Sequence, residues 1–389
     1  MKVLLVGGGS GGHITPLLAV ASQLKRHHPL CNIRIITERM GLFGHILEDA
    51  DTHFIDKTYY INAGKYRRYN GQSILSRIVD VKTLFFNLRD IVKLLIGTVE
   101  SFWLLIRIRP NVIFIKGGYV GVPVGLAARF LRIPYVTHDS DALPGLTNRI
   151  IADKARANAV GMPSGYYPYP LEKTKYVGIP ITKDFTEISE ETRNKKRKEL
   201  DLKASDFLVL ITGGSNGALR LDNIVHDSIK ELLESNPRLY IVHQVGKDNE
   251  EIYSDYPTHL HSKIRVAAFL RPLSEYISAA DAVIARAGAT TITEIGAQKK
   301  PLILVPNPYL SGGHQLKNAR VYKDKNAALV VNENKALKDP QALAEAIKEI
   351  ISSSELSDEL GENLHKVTRR DAAKKISELL IDIAHKKGI

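Results

Sequence analysis

A short apolar run, Val3-Leu4-Leu5-Val6, ends in Gly7-Gly8-Gly9-Ser10-Gly11-Gly12-His13. A second, Phe207-Leu208-Val209-Leu210-Ile211-Thr212, ends in Gly213-Gly214-Ser215-Asn216-Gly217-Ala218, with Gly213 lying 206 residues beyond Gly7. A glycine-rich turn between strand and helix lets the backbone approach an anion closely, while the helix aims free N–H groups and its positive dipole end at it. Such turns belong to parallel sheets covered by helices, so the pair predicts an α/β chain of two similar domains. At roughly 150 residues per domain, the chain's 389 residues fit two large domains and exclude a single small module.

Apolar, β-branched runs predict strands at 3–6, 33–37, 53–55, 112–115, 135–137 and 159–160, with helices at 16–27 and 123–131 between them. A charged, helix-favouring stretch over 183–203 interrupts this rhythm. Strands resume at 207–211, 240–245, 264–267, 282–285, 301–305 and 328–331, and two helices close the chain between Pro340 and His385. The expected domains are therefore 1–182 and 183–389. Open parallel sheets bind ligands beyond the carboxyl ends of their strands, so the expected active site is a cleft with glycine loops on both walls.

Charge narrows the class of partner. Lys+Arg number 54 against 42 Asp+Glu, a net +12 that favours an anionic partner: a phosphorylated substrate, an acidic membrane or a nucleic acid. No basic run is joined to an aromatic platform or docking motif, so nucleic acid is not expected. The single cysteine, Cys31, sits in a loop-like stretch and cannot form an internal disulfide, which predicts no structural zinc and a reducing, cytosolic compartment. The first apolar run is too short for a signal peptide. Lys93, Glu100 and Arg107 interrupt the window 91–108, which falls short of the ~20 apolar residues that span a bilayer. Residues 59–110 nevertheless hold nine Lys+Arg (Lys65, Arg67, Arg68, Arg77, Lys82, Arg89, Lys93, Arg107, Arg109) against Asp80, Asp90 and Glu100, a local +6. Ile74, Leu75, Leu84, Phe85, Phe86, Leu94, Leu95, Phe102, Trp103 and Leu104 are interleaved, which predicts peripheral contact with an anionic membrane. The bland alternative is a solvated helix whose apolar face enters the core.

His13 follows the first glycines in the opening turn of a helix, where the dipole disfavours its protonated form; a neutral imidazole there suits a general base. Gly7, Gly9 and Gly12 also satisfy G-x-G-x-x-G, with Glu38 placed as a ribose-binding acid, so a nicotinamide or flavin dehydrogenase is an alternative. A third cluster, Lys116-Gly117-Gly118-Tyr119, again ends a strand and adds a cation. Thr137-His138-Asp139-Ser140-Asp141 groups an imidazole with two carboxylates; its D-x-D match to a metal–nucleotide motif recurs in Asp49-Ala50-Asp51, so it carries little weight, and no metal is expected. Arg286-Ala287-Gly288-Ala289-Thr290-Thr291-Ile292-Thr293-Glu294 supplies a cation, donors and a carboxylate able to hold a nucleotide's phosphates and ribose.

Taken in order and spacing, residues 8–16, Gly117-Gly118-Tyr119-Val120, Pro144-Gly145-Leu146-Thr147-Asn148-Arg149, residues 213–218, residues 286–294 and His314-Gln315-Leu316-Lys317-Asn318-Ala319 resemble the MurG family, from residue 3 to about 325. That family makes lipid II from lipid I in peptidoglycan synthesis. The resemblance implies a GT-B architecture of two Rossmann-like domains, an inverting and metal-independent N-acetylglucosaminyl transfer, and no cofactor. It implies UDP-N-acetylglucosamine mainly on the C-terminal domain, and the polyprenyl-diphosphate-linked N-acetylmuramyl-peptide acceptor on the N-terminal one at the cytoplasmic face of the membrane. Donor contacts carried over are Gly214, Ser215, Asn216, Leu270, Arg286, Ala289, Thr290, Thr291 and Glu294, with Glu294 on the ribose; Ser10, Gly11 and Gly12 would approach the diphosphate. His13 is the expected base and Asp139 the second candidate. Three positions depart from the family pattern: Asp141 stands where it has an amide, Thr182 where it usually has Arg, with Lys183 as a candidate replacement, and His314 where Gln is common beside Gln315. Another lipid acceptor, or nucleotide binding without transfer, are the competing functions.

Overall fold

The computed structural model describes residues 1–9, 11–39, 53–64, 81–214, 217–247 and 249–386. The chain forms two compact units, Met1–Thr182 with Arg370–Ile389, and Lys183–Arg369.

In the first unit, β1 (Lys2–Val6), β2 (Asn32–Glu38), β3 (Lys57–Ile61), β4 (Val112–Ile115), β5 (Tyr135–Asp139), β6 (Ala157–Val160) and β7 (Thr174–Tyr176) form a parallel sheet in the order β3-β2-β1-β4-β5-β6-β7. The chain runs outward from β1 to β3 and then crosses to β4, so the carboxyl ends of β1 and β4 meet at the switch point, with Val6 opposite Ile115. Alternation along each strand feeds two cores. Val3, Leu5, Phe114 and Val136 face Leu17 and Leu24 of helix α1 (Gly11–His27). On the other face Leu4, Val6, Ile113 and Ile115 meet Leu105 and Ile108 of α2 (Val81–Ile108) and Val124 and Ala128 of α3 (Gly121–Phe130). A short helix, α4 (Leu146–Ile151), follows β5.

The second unit begins with α5 (Glu190–Glu199), the charged stretch of the sequence. Arg193 and Arg197 of this helix grip the two oxygens of Asp281 at 2.8 and 2.9 Å, which ties it to the second sheet. That sheet joins β8 (Phe207–Thr212), β9 (Leu239–Gln244), β10 (Ile264–Ala267), β11 (Ala282–Ala285), β12 (Leu302–Leu304) and β13 (Leu329–Val330) in the order β10-β9-β8-β11-β12-β13. Its switch point lies between β8 and β11, where Thr212 stands opposite Ala285. Helices α6 (Leu219–Ser235), α7 (Ala289–Ala297) and α8 (His314–Lys323) follow.

Three expectations are corrected. The strand at 53–55 is a turn whose Phe54 and Ile55 pack on the core, and the strand itself is β3. Asp56 fixes the offset: its N–H donates to Ile33 O at 2.8 Å and its carboxylate accepts the Ile33 N–H at 2.7 Å, so pairing starts only afterwards, Arg34 with Lys57. The C-terminal region holds three helices rather than two: α9 (Gln341–Ser352), α10 (Ser354–Val367) and α11 (Ala372–His385). Ser353 separates the first two, its hydroxyl accepting the Leu356 N–H at 3.1 Å. Finally, α11 joins the first unit, because Ile376, Leu380 and Ala384 form a buried stripe with Leu17 and Leu24. Cys31 lies in the loop between α1 and β2, as expected, and its side chain is buried in the core with no disulfide.

Candidate active site

At the carboxyl end of β1, Gly9 takes φ +84° and donates its N–H to Glu38 Oε1 at 3.0 Å. Glu38 is buried and also accepts the Thr37 hydroxyl at 2.9 Å and the Tyr119 hydroxyl. Burial first, and then this carboxylate, push the Tyr119 hydroxyl up to about 12. Glu38 therefore fastens the glycine loop, which removes the ribose-binding acid that the dehydrogenase alternative needs. A methyl group on Gly118, at φ +72°, would overlap the Gly8 carbonyl, so the first and third glycine loops lie backbone against backbone. The Thr147 hydroxyl of α4 pins this contact by donating to Gly118 O at 2.7 Å.

His13, in the first turn of α1 after Gly11 and exposed Gly12, is partly buried against Gly117, where a Cβ would stand 3.7 Å from its Nε2. Its pKa is pushed down to about 3, by burial first and the Lys116 ammonium second, against a hydrogen bond to the Gly8 backbone. The imidazole is neutral at physiological pH, as the sequence predicts, with burial as the main cause. Lys116 is itself buried; this lowers its pKa, and the Asp141 and Asp139 carboxylates oppose the shift.

The cluster 137–141 separates in three dimensions. His138 points into the core, its Nε2 2.9 Å from Gly178 O, and is held well below the ordinary imidazole value by burial and by Lys116. Asp139 is buried, with Oδ1 accepting the Gly145 N–H at 2.8 Å and Oδ2 the Tyr169 hydroxyl at 2.7 Å. Burial raises its pKa, and these bonds, with Asn148 and Lys116, oppose the rise. Asp139 thus ties the loop before α4 to Tyr169, with a hydrogen bond on each carboxylate oxygen. Asp141 is partly buried, and Thr182, partly buried, ends the first unit, while Lys183 is exposed at the start of the second. Among the described residues no group of three or more His, Cys, Asp or Glu could hold a metal ion. Ser10, Ser215, Asn216 and Asp49-Ala50-Asp51 lie outside the described residues.

In the second unit, Gly214 (φ +86°) and Gly217 (φ +69°) form the turn after β8, and the Gly214 N–H donates to the Thr212 hydroxyl at 3.1 Å. Gln244, at the end of β9, donates to Gly214 O at 3.2 Å and accepts the Leu270 N–H at 3.2 Å, tying two expected donor contacts together. Across the switch point, Gly288 precedes α7, so Ala289, Thr290 and Thr291 present that helix's free N–H groups. Asn318 of α8 holds the Ala287 carbonyl at 3.0 Å, and Gln315 accepts the Asn307 N–H at 2.9 Å, fixing the loop before partly buried His314. Glu294, one turn into α7, is partly buried, and burial alone raises its pKa to about 8. No hydrogen bond or ion pair reaches it among the described residues. Arg286 is buried; Nη1 donates to Val305 O at 2.9 Å and Nη2 lies 2.6 Å from Glu333 Oε1. Gln244 and Glu333 carry no signal in the sequence, because neither belongs to a glycine motif and each acts through a loop other than its own.

Helix α2 is amphipathic in the unusual sense. Leu88, Ile91, Val92, Leu95, Ile96, Val99, Trp103 and Ile106 are exposed at helical spacing, Trp103 by 66%, and Phe130 adds its ring beside Phe102 at 5.6 Å. Its buried side carries Asn87, Asp90 and Ser101, with Glu100 accepting the Asn62 backbone N–H. An apolar face is thus exposed along the helix, while Leu105 and Ile108 of the same helix enter the core, as the solvated-helix alternative expects for part of the pattern. The basic segment 65–80 lies outside the described residues. No helix among the described residues is long and apolar enough to cross a membrane.

Residues 3–160 match the glycosyltransferase family 28 N-terminal domain, and residues 208–376 match the family 28 C-terminal domain. A relative from Bacillus pumilus, UDP-N-acetylglucosamine--N-acetylmuramyl-(pentapeptide) pyrophosphoryl-undecaprenol N-acetylglucosamine transferase, is 31% identical over 98% of this chain and 99% of its own. The chain belongs to this family, MurG. A Carboxydothermus hydrogenoformans relative of the same name is 29% identical over 98% of this chain and 97% of its own. The crystal structure of Acinetobacter baumannii MurG superposes with a TM-score of 0.71 at 24% identity, covering 98% of this chain and 99% of that one. A Neisseria meningitidis UDP-GlcNAc 2-epimerase bound to UDP-GlcNAc shares the fold at a TM-score of 0.68 and 15% identity, over 98% of this chain and all of the other. The MurG chain is accordingly a GT-B glycosyltransferase built from two parallel Rossmann-like sheets.

Proposed function

We propose that this MurG chain transfers N-acetylglucosamine from UDP-N-acetylglucosamine to the 4-hydroxyl of the N-acetylmuramyl sugar of lipid I, giving lipid II for the cell wall. The observation that carries the reading is a pair of unlike sites, one in each unit: a neutral imidazole on two apposed glycine loops in the first, and a carboxyl without a hydrogen bond or ion pair among the described residues, beside free helix N–H groups, in the second. The second suits a nucleotide sugar. Gly214 and the N-terminus of α7, with Ala289, Thr290 and Thr291, face the diphosphate; Ser215 and Asn216 belong to the same loop in sequence. Glu294, its pKa raised to about 8 and so protonated at neutral pH, both donates to and accepts from ribose hydroxyls. Leu270 lines the base, and Arg286 sets the charge of its loop; His314 and Gln315 border the sugar.

The site of the first unit suits the acceptor. His13 takes the proton of the acceptor hydroxyl as that oxygen attacks the anomeric carbon, the bond from this carbon to the UDP oxygen breaks with its electron pair on UDP, and the centre inverts. A base with a pKa near 3 is weak, and the anionic acceptor diphosphate corrects this by favouring the imidazolium. Gly11 and Gly12, with Ser10 beside them in sequence, and Asp141 and Thr182 form the acceptor wall. The exposed apolar face of α2 and the basic residues around it dock on an anionic membrane, on its cytoplasmic side, where the lipid-linked acceptor is presented.

Replacing His13 by Ala tests the assignment. A positioned base contributes about 10²–10⁴ in rate, so turnover should fall by that factor while the donor KM stays within about threefold. Wild-type turnover in the variant removes His13 from the reaction.

A further inference from the structure

Two guanidiniums in the second unit share one carboxylate. The Glu333 side chain is fully buried, with Oε1 2.6 Å from Arg286 Nη2 and Oε2 3.1 Å from Arg220 Nη2. The two arginines are nevertheless in different situations. Arg286 is enclosed, bonded to Glu333 and to the Val305 carbonyl, with the Asp222 carboxylate also acting on it. Arg220 has a side chain 43% exposed, in the first turn of α6, three residues beyond Gly217 of the glycine turn. Its guanidinium rests on the Tyr309 ring at 4.8 Å, and Nη2 also donates to Asn334 Oδ1 at 3.2 Å. Asn334 in turn accepts the Tyr309 hydroxyl at 3.0 Å. Ring, carboxylate and amide fix the plane of the fork, while Nε and Nη1 take no hydrogen bond among the described residues.

A planar cation held by its neighbours with donors left open matches a phosphate oxygen pair, and being set beforehand it loses little side-chain freedom on binding. We propose that Arg220 is a ligand of the donor diphosphate, with Glu333 as the positioning residue that sets it and Arg286 in place. The buried arginine that the sequence offers as the phosphate contact then supports the site, and the exposed one beside the glycine turn touches the anion. This rests on the reading of the second unit as a UDP-sugar site.

The test is calorimetric titration of the full chain and its R220M variant with UDP and with uridine, which has the base and ribose but no phosphate. R220M is expected to weaken UDP about tenfold, the scale of a charge-assisted pair at a partly exposed site, and to leave uridine within about twofold. Unchanged uridine affinity shows that the fold and base site are intact. UDP binding as tight as in the wild type overturns the proposal, and so does a parallel loss of UDP and uridine, which assigns Arg220 to packing on Tyr309. Failure of the wild type to bind UDP overturns the UDP-sugar reading and the proposal with it, whereas UDP affinity indifferent to R220M overturns the proposal alone.

Discussion

Glu294 makes the second unit less stable than it could be, and the size of that effect follows from its surroundings. Its carboxyl sits at about 8 in the folded chain against an ordinary 4.5, with burial as the cause. The folded pKa is the higher one, so between these values the native state keeps a proton that the unfolded chain has lost. Stability is unaffected below 4.5, declines as pH rises through the window, and carries the whole penalty above 8. At about 1.4 kcal/mol per tenfold in proton affinity the gap amounts to about 5 kcal/mol. Water reaching the partly exposed carboxyl reduces this to about 3 kcal/mol. Glu294→Gln keeps the shape and removes the charge. Calorimetric unfolding of wild type and variant at pH 5 and pH 9, following the transition that UDP raises, should find them nearly equal at pH 5. At pH 9 the variant should unfold about 6–12 °C higher, at about 2–4 °C per kcal/mol for a domain of this size. The variant should also bind UDP about tenfold more weakly, a stability gained at the expense of function. Equal unfolding temperatures at pH 9 would refute the reasoning, because an unpaired buried carboxylate has to cost something when it ionises.

Other outcomes follow from the remaining contacts. Asp139→Asn keeps an acceptor for the Gly145 N–H, so turnover should stay within about tenfold of wild type; a loss of 10²–10⁴, the scale of a general base, would return Asp139 to the chemistry. Gly118→Ala forces a Cβ at φ +72° into the Gly8 carbonyl and should destabilise the first unit by about 2–4 kcal/mol in denaturant unfolding. Replacing Leu95 and Trp103 together by Glu removes two exposed apolar side chains at about 1.5 kcal/mol each or more. Binding to anionic vesicles should fall by about a hundredfold with unfolding unchanged, and unaltered vesicle binding would remove α2 from the membrane contact.

The sequence carries the architecture because glycine turns and apolar runs are local signals. Strand β10 (264–267) and strand β11 (282–285) are legible to the residue. β3 is not, because it is an edge strand whose Lys57, Thr58 and Tyr60 lack the apolar run of an interior one, and the apolar pair Phe54 and Ile55 reaches the core from a turn instead. The crossing of α11 to the first unit is equally hidden, since an amphipathic stripe shows that a helix packs and not on what. In the site, motif residues are legible and their roles less so. Glu38 reads as a ribose acid and serves the glycine loop; Asp139 reads as a second base and is bonded through both oxygens to Gly145 and Tyr169; His13 reads as neutral from its place at a helix start, while burial and Lys116 lower its pKa. What decides these cases is which N–H or hydroxyl arrives from another part of the fold, and spacing along the chain does not contain that.

The most direct measurement is transfer of labelled N-acetylglucosamine from its UDP donor to a short-chain lipid I analogue, with chelator present and the anomeric configuration of the product assigned by NMR. The account predicts a β-linked product at the 4-hydroxyl, formed at the same rate with and without chelator. Tight donor binding without transfer, or an α-linked product, would contradict it.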